Sequence, residues 1–118
     1  MIKLESLKSD FQFKRLLNQK RINTNYFSIY FGKNLTEENN NKLNISFVMK
    51  KKVGNSVVRN KIKRRLRSAV QKKLKNKKSL NINYSYIIFG KSKAFTEKYS
   101  IVSNELEKTF FKINKMNI

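Results

Sequence analysis

Alternating residues predict two β-strands, at about 24–31 and 43–51, and a strand-like run that ends at Gly90 predicts a third at about 84–89. The polar stretch 34–42 predicts a turn or loop between the first two strands, which favours a hairpin. The alternation in the first strand is strict. Its two faces carry Phe27, Ile29 and Phe31 on one side and Tyr26, Ser28 and Tyr30 on the other.

Apolar residues at helical spacing predict three helices. The first covers about 10–20, with Ser9 at a capping position. The second covers about 56–76, where either Asn55 or Ser56 can act as the N-cap. The third begins at Thr96 and places on one apolar stripe Tyr99, Val102, Leu106, Phe110 and Ile113.

The six predicted elements follow the order α-β-β-α-β-α and fit one domain, 1–118. The chain has 118 residues, no Pro, only three Gly and no internal repeat, so its composition marks no linker or domain boundary. Hydrophobic residues make up 39% of the chain and aromatic residues 12%. That is too much apolar material for a disordered basic tail, so we expect the chain to fold.

The charge of the chain is strongly positive and unevenly distributed. The sequence has 28 Lys and Arg, 7 Asp and Glu and no His, which gives a formal net charge of +21. Fourteen of the basic residues fall within 50–78, and no acid occurs between Glu38 and Glu97. Because a polyanion would relieve the resulting repulsion, a nucleic acid is the expected partner.

On a helical wheel, the predicted helix 56–76 has an apolar side and a basic side. The core-facing arc holds Val58, Ile62, Leu66, Ala69 and the stem of Lys73. The opposite face holds Asn60, Arg64, Arg67 and Gln71, flanked by Lys61 and Lys63. A helix that is merely solvated usually mixes charges of both signs, because like charges four residues apart are destabilising. An acid-free face with Arg, Lys and Asn donors instead suits a phosphate backbone.

Residues for protein-based hydrolysis are scarce. The chain has no His for an acid–base pair and no Cys for a thiolate metal site or a disulfide. Glu37 and Glu38 lie together in a polar loop, and Glu105 and Glu107 are two residues apart and cannot share a helix face. We therefore expect no catalytic residue and no metal site in the protein itself.

Two further patterns bear on location. No apolar run approaches the roughly 18 residues that a membrane span needs, and residues 1–6 lack the apolar core of a secretory signal. We expect a cytoplasmic protein with no membrane partner.

The segment KKVGNSVVRNKIKRRLR, residues 51–67, resembles the defining segment of the bacterial ribonuclease P protein family, which is usually built around Arg-Asn-Arg. This chain has Arg59-Asn60-Lys61, so the second Arg is replaced by a Lys that keeps the charge but loses the bidentate geometry. The flanks also agree with the family, from a Phe-containing N-terminal helix to an amphipathic C-terminal helix. The resemblance covers nearly the whole chain.

The resemblance implies an α+β fold, a single-domain α/β sandwich whose four-stranded sheet follows the order α-β-β-β-α-β-α. It also implies a left-handed β-α-β crossover through the basic helix, between parallel strands. The hydrophobic pattern alone predicts one strand fewer. General topology rules alone would have favoured a right-handed crossover.

The resemblance also implies two RNA surfaces. Family members bind the catalytic RNA of ribonuclease P and the 5′ leader of precursor tRNA, and Mg²⁺ held mainly by the RNA supports endonucleolytic removal of the leader. Lys51 and Lys52 would border the leader cleft, and Tyr30 with Phe11 or Phe13 would line it, because two registers of the N-terminal helix are possible. No obligate protein partner is expected. The expected RNA-binding residues are Lys51, Lys52, Arg59, Asn60, Lys61, Lys63, Arg64 and Arg67.

Two other functions share some of these features. A structural rRNA-binding protein would have the same size, charge and mixed fold, but the ordered basic motif argues against it. A protein that binds double-stranded DNA could place helix 56–76 in a major groove, but the sequence shows no helix-turn-helix partner for that helix.

Overall fold

A five-stranded mixed sheet lies at the centre of the molecule, with helices against both of its faces. The computed structural model describes residues 2–34, 42–75 and 81–116. The strands are β1 (Lys3–Glu5), β2 (Lys20–Asn23), β3 (Phe27–Lys33), β4 (Lys42–Val48) and β5 (Tyr84–Gly90). The helices are α1 (Asp10–Leu17), α2 (Ser56–Leu74), α3 (Lys93–Thr96) and α4 (Tyr99–Lys115), and a single 3₁₀ turn, Lys51–Val53, precedes α2.

The strands lie side by side in the order β1-β4-β5-β3-β2. Helix α2 joins β4 to β5, which are parallel neighbours, whereas β5 pairs antiparallel with β3, and β3 with β2. The implied order α-β-β-β-α-β-α is confirmed, and β1 adds a fifth strand parallel to β4.

The predicted hairpin of segments 24–31 and 43–51 is wrong, because β5 lies between β3 and β4. Residues 84–88 of β5 are all buried, which suits a strand covered on both faces at the centre of a sheet. Most of the predicted loop 34–42 falls outside the described residues, as does position 76 of the second predicted helix.

Polar side chains cap the N-termini of α1 and α2. Ser9 Oγ accepts a hydrogen bond of 3.1 Å from the Gln12 amide, which confirms the N-cap of α1. Asn55 Oδ1 accepts one of 3.0 Å from the Val58 amide, so Asn55 rather than Ser56 caps α2. The predicted start of the last helix at Thr96 is wrong: Thr96 ends α3, the backbone of the next two residues is extended, and α4 begins after them at Tyr99.

One face of the sheet and the helices α2 and α4 enclose the core. Alternate residues of β3 and β5 point into the core. In β3 these are Phe27, Ile29 and Phe31, which confirms the predicted apolar face of this strand. The core residues from these elements are Phe27, Ile29, Phe31, Tyr84, Tyr86 and Ile88 of the strands and Ile62, Leu66, Ala69, Val70, Val102, Leu106, Phe110 and Ile113 of the helices. The apolar arc of α2 faces the core as the helical wheel predicts, and the predicted apolar stripe of the last helix also packs there.

A close approach between α2 and the end of β5 requires a glycine. A Cβ added to Gly90 would meet Met49 Sδ and would lie 2.7 Å from Ile62 Cγ2. Any larger residue would therefore force the side chains of Met49 and Ile62 to shift.

Helix α1 covers part of the opposite face of the sheet. The Leu7 amide donates a hydrogen bond of 3.0 Å to Ser46 Oγ of β4, and buried Leu16 packs against Gly32 of β3. Further along β3 and β5 on this face, Tyr30 and Phe89 are only partly buried. We call this side of the sheet the open face.

Candidate nucleic-acid interface

The outer side of α2 is basic and exposed to solvent. Asn60, Lys63, Arg64 and Arg67 are exposed, whereas Ile62 on the opposite side is fully buried. No acid lies between residues 50 and 75, so no carboxylate within this segment neutralises the face. The geometry predicted by the helical wheel is confirmed for these side chains.

The first turns of α2 form a polar depression against β4, with a volume of about 310 Å³. Arg59, Asn60 and Lys63 line it on the helix side and Phe47 on the strand side. Arg59 Nη2 donates to Ser56 Oγ at 3.5 Å, while Arg59 Nε is buried with no hydrogen-bond partner among the described residues. A buried donor without an acceptor costs about 1–3 kcal/mol, so an anionic oxygen in this depression would relieve that cost.

Two basic residues of the motif instead face α3. Lys61 Nζ lies 4.8 Å from the centroid of the Phe95 ring, a cation–π contact, and Lys61 is only partly exposed. Arg65 Nη1 donates to the carbonyl oxygens of Ala94 at 3.0 Å and of Glu97 at 2.6 Å. Arg65 therefore closes the end of a short helix, a role that the run of basic residues in the sequence does not reveal.

An acid borders the basic surface at the edge of the sheet. Glu5 of β1 lines a depression together with Lys63 and Arg67. Lys8 and Lys42 donate to its carboxylate at 2.8 and 3.0 Å, and these hydrogen bonds hold the pKa of Glu5 below its ordinary value of 4.5. The hydrogen bond between Lys8 and Glu5 also raises the pKa of Lys8.

A groove of about 450 Å³ crosses the open face beside the 3₁₀ turn. Tyr30 of β3 and Phe89 of β5 form part of its floor, and Lys52 stands at its border. Lys51 and Lys52 are both exposed on the turn. The structure brings Lys52 and Tyr30 together in this groove, and Lys51 precedes Lys52 in the chain. Their contact with a leader stays a prediction.

The groove residues that were not predicted from the sequence include Phe89, Arg21 and Lys50. Phe89 meets Tyr30 edge to face, with ring centroids 5.6 Å apart, and Arg21 and Lys50 lie over the two rings. The alternation in β5 places Phe89 on the face opposite the core and could have identified it. Arg21 belongs to β2, which the hydrophobic pattern does not predict, and its position opposite Tyr30 follows only from the strand pairing.

The two candidate N-terminal aromatic residues differ in burial. Phe11 is 68% exposed, and Phe13, on the same side of α1 as Leu16, is partly buried. Neither is among the residues that line the groove. Their assignment to a leader cleft stays a prediction.

Within residues 2–34, 42–75 and 81–116, no group of three or more Asp, Glu, His or Cys lies together as a metal site would require. Over the same residues, no helix combines the length and the apolar character needed to cross a membrane.

A family model and the curated relatives agree on the family to which this chain is similar. A family model described as Ribonuclease P matches residues 1–114. The ribonuclease P protein component of Mycoplasma capricolum is 32% identical over 103 residues, which cover 86% of this chain and 89% of that protein. The ribonuclease P protein component of Fusobacterium nucleatum is 32% identical over 113 residues, which cover 91% of this chain and 95% of that protein.

The similarity extends to solved structures. The RNase P protein of Staphylococcus aureus superposes with a TM-score of 0.72 at 23% identity, covering 93% of this chain and 94% of that one. The RNase P protein of Thermotoga maritima superposes with a TM-score of 0.71 at 22% identity, covering 90% and 94%. At these identities the superpositions establish the fold.

Proposed function

Because the chain belongs to the ribonuclease P protein family, we propose that it binds the catalytic RNA of that ribonucleoprotein and the 5′ leader of precursor tRNA. In this role it assists the endonucleolytic removal of the leader that gives the mature 5′ end of tRNA. The observation that carries the proposal is the position of the 51–67 segment: its first residues form the turn beside a groove with aromatic residues, and the rest begins an acid-free basic helix.

The exposed side of α2 suits the catalytic RNA. Arg64 and Arg67 offer forked donors matched to phosphate oxygens, and Asn60 can both donate to and accept from phosphate, sugar or base. In the depression beside them, the unpartnered Nε of Arg59 has room for an acceptor. Lys61 would contribute mainly charge, because its ammonium already contacts the Phe95 ring.

The groove on the open face suits the leader. Unpaired bases can stack on aromatic rings without a readout of their sequence, and Tyr30 and Phe89 present such rings. Lys52 at the border of the groove and Lys51 beside it would attract the leader backbone. A site of this kind tolerates leaders of variable sequence, and it gives precursor tRNA contacts that mature tRNA lacks.

The chemistry of hydrolysis is assigned to the RNA. The chain has no His, and its described carboxylates do not cluster into a Mg²⁺ site, so we derive no catalytic step from its side chains. Mg²⁺ would be held mainly by RNA phosphates. The cationic side chains would screen repulsion between crowded phosphates, which favours the compact RNA, and would position the substrate. This role requires no obligate protein partner, and we expect the protein to act in the cytoplasm.

Purification of the chain from its own cells, followed by sequencing of the bound RNA, separates this function from that of a structural rRNA-binding protein. We expect enrichment of the ribonuclease P RNA and of precursor tRNA. Recovery of ribosomal RNA without the ribonuclease P RNA would contradict the proposal. A variant with Lys108→Ala and Lys112→Ala on α4 serves as a control, because it removes two positive charges away from the basic helix.

A further inference from the structure

Two adjacent depressions lie between α2 and the sheet. The first, of about 310 Å³, lies against the first turns of the helix, and the second, of about 170 Å³, lies where β1 forms the edge of the sheet. Lys63 and Phe47 line both depressions, and together we call them the trough. From Arg59 to Arg67 the trough follows about two turns of α2, or about 12 Å.

The two walls of the trough differ in chemistry. The wall on α2 is cationic and contains Arg59, Lys63 and Arg67. The wall on the sheet contains Ser46 of β4 and, at the end of β1, Glu5, which is the one acid among the described residues that line the trough. A ribose–phosphate strand has two matching sides, because its phosphate oxygens are anionic and its sugar carries a hydroxyl donor.

We propose that Glu5 accepts a hydrogen bond from the 2′-hydroxyl of a ribose in the trough and thereby makes this surface selective for RNA over DNA. Lys63 and Arg67 hold the phosphate next to that ribose. This inference rests on the proposed function, because the ribose belongs to the ribonuclease P RNA that α2 binds. Phosphate contacts alone cannot distinguish RNA from DNA, whereas a contact with the 2′-hydroxyl can.

The carboxylate of Glu5 has the capacity for a further donor. An ionised carboxylate only accepts hydrogen bonds, and its two oxygens offer about four lone-pair positions. Lys8 donates to Oε1 at 2.8 Å and Lys42 to Oε2 at 3.0 Å, so these two side chains use one position on each oxygen. Both bonds keep the pKa of Glu5 below its ordinary value of 4.5, and the group is therefore ionised at neutral pH.

Strand β1 fixes the position of this carboxylate. Glu5 pairs with Asn44 in the parallel register of β1 and β4. Two residues further on, the Leu7 amide donates a hydrogen bond of 3.0 Å to Ser46 Oγ. These contacts hold the end of β1 against β4 before RNA binds, which reduces the ordering that binding requires.

An acid beside a phosphate-binding surface lowers the affinity for any strand that offers it no donor. In DNA the repulsion between Glu5 and the nearby phosphates is uncompensated, whereas the 2′-hydroxyl of RNA compensates it. Amino groups of bases are the other donors of a nucleic acid. In helical RNA these groups lie in a major groove too narrow for side chains, while the minor groove displays the 2′-hydroxyls. The hydroxyl is therefore the donor that fits Glu5.

Removal of single 2′-hydroxyls tests this contact. The full chain binds a pool of ribonuclease P RNA that carries phosphorothioate-tagged 2′-deoxynucleotides at random positions, and bound and unbound RNA are compared. A pool with the same tag and intact riboses is the reference. We expect at least one position at which the deoxynucleotide interferes with binding of the wild type, less so with Glu5→Gln and not with Glu5→Leu. Glu105→Gln on α4 is the matched control and should keep the wild-type pattern.

A ribonuclease P RNA with one 2′-deoxynucleotide at the mapped position gives the size of the effect. The missing hydroxyl should weaken binding of the wild type about tenfold, as expected for one hydrogen bond to a charged group. It should weaken binding of Glu5→Leu less than about twofold, because the two changes remove the same contact. Equal losses for the two proteins would contradict a bond between this hydroxyl and Glu5.

The outcomes separate this inference from the proposed function. If Glu5 acted only through its charge, Glu5→Gln would tighten binding of the unmodified and the single-deoxy RNA by the same factor, which would overturn the inference. Saturable binding of ribonuclease P RNA with no interference that depends on Glu5 would also overturn it and would leave the proposed function standing. An absence of saturable binding to that RNA would overturn both.

Discussion

Arg65 of α2 donates a hydrogen bond of 2.6 Å to the backbone carbonyl oxygen of Glu97, immediately after α3. A second bond of 3.0 Å, to the Ala94 carbonyl oxygen, makes this guanidinium a bridge between the basic helix and the chain that enters α4. The adjacent Arg64 is exposed on the outer side of the same helix. Two successive arginines of one motif thus differ in role: Arg65 is structural, and Arg64 is free to bind a partner.

This difference predicts that two matched substitutions have unequal effects on stability. Arg65→Met should lower the free energy of unfolding by about 1–3 kcal/mol, because it leaves two partly buried carbonyl groups without their charged donor. Arg64→Met should change it by no more than about 0.5 kcal/mol, since the side chain is exposed. Urea denaturation followed by circular dichroism measures both. Equal losses of stability would contradict the structural role of Arg65.

Arg64 and Arg67 should determine the salt dependence of RNA binding. Removal of one phosphate contact lowers the slope of log affinity against log salt by about 0.7–0.9. We therefore expect Arg64→Ala and Arg67→Ala each to weaken binding of the ribonuclease P RNA and to flatten its salt dependence. Filter binding over a range of KCl concentrations measures the slope, with Lys108→Ala on α4 as the control. An affinity that falls by the same factor at every salt concentration would speak against a phosphate contact.

Tyr30 should control the preference for precursor over mature tRNA. Tyr30→Ala removes a ring on which a leader base can stack, a contribution of about 1–3 kcal/mol, whereas mature tRNA has no leader to lose. The affinity of the assembled ribonucleoprotein for precursor tRNA should fall, and its affinity for mature tRNA should stay the same. Competition binding with both tRNAs measures the ratio. Equal losses for the two tRNAs would remove Tyr30 from the leader site.

The ion pairs of Glu5 predict a specific pH dependence. The pKa of this carboxyl is lower in the folded protein than its ordinary value of 4.5, so the folded state binds fewer protons. The contribution of Glu5 to stability is therefore fully present above about pH 5 and is lost as the pH falls through the lower folded value. The stability difference between the wild type and Glu5→Gln should shrink from about pH 6 to about pH 3. Chemical denaturation at both pH values measures it, and a difference that does not change would contradict the shifted pKa.

The elements with clear apolar periodicity were predictable from the sequence, and the short strands were not. Helix α2, β5 and the apolar stripe of α4 lie close to their predicted positions because many of their residues are buried at regular intervals. Strand β2 has four residues with one apolar side chain, Ile22, and β1 has three residues. Neither is long enough to show alternation. These two strands are stabilised by pairing with the longer strands β4 and β3. Their positions therefore depend on residues outside the short strands themselves.

The candidate site was predictable on α2 and only in part on the sheet. The wheel identified the exposed basic face because burial of Ile62 and Leu66 fixes which side of the helix points outward. The groove depends on β5 lying between β3 and β4, which brings Phe89 next to Tyr30. A hairpin of β3 and β4 would have separated these rings. Strand order is set by contacts distant in sequence, so no local pattern could have supplied it.

Reconstitution tests the central proposal most directly. The purified chain is added to a bacterial ribonuclease P RNA at a Mg²⁺ concentration too low for the RNA alone, and 5′ processing of precursor tRNA is measured. We expect the chain to restore processing, and a variant with Arg64→Ala and Arg67→Ala to restore it only at higher protein or Mg²⁺ concentration. Absence of stimulation by the wild-type chain at any protein concentration that saturates the RNA would contradict the proposed function.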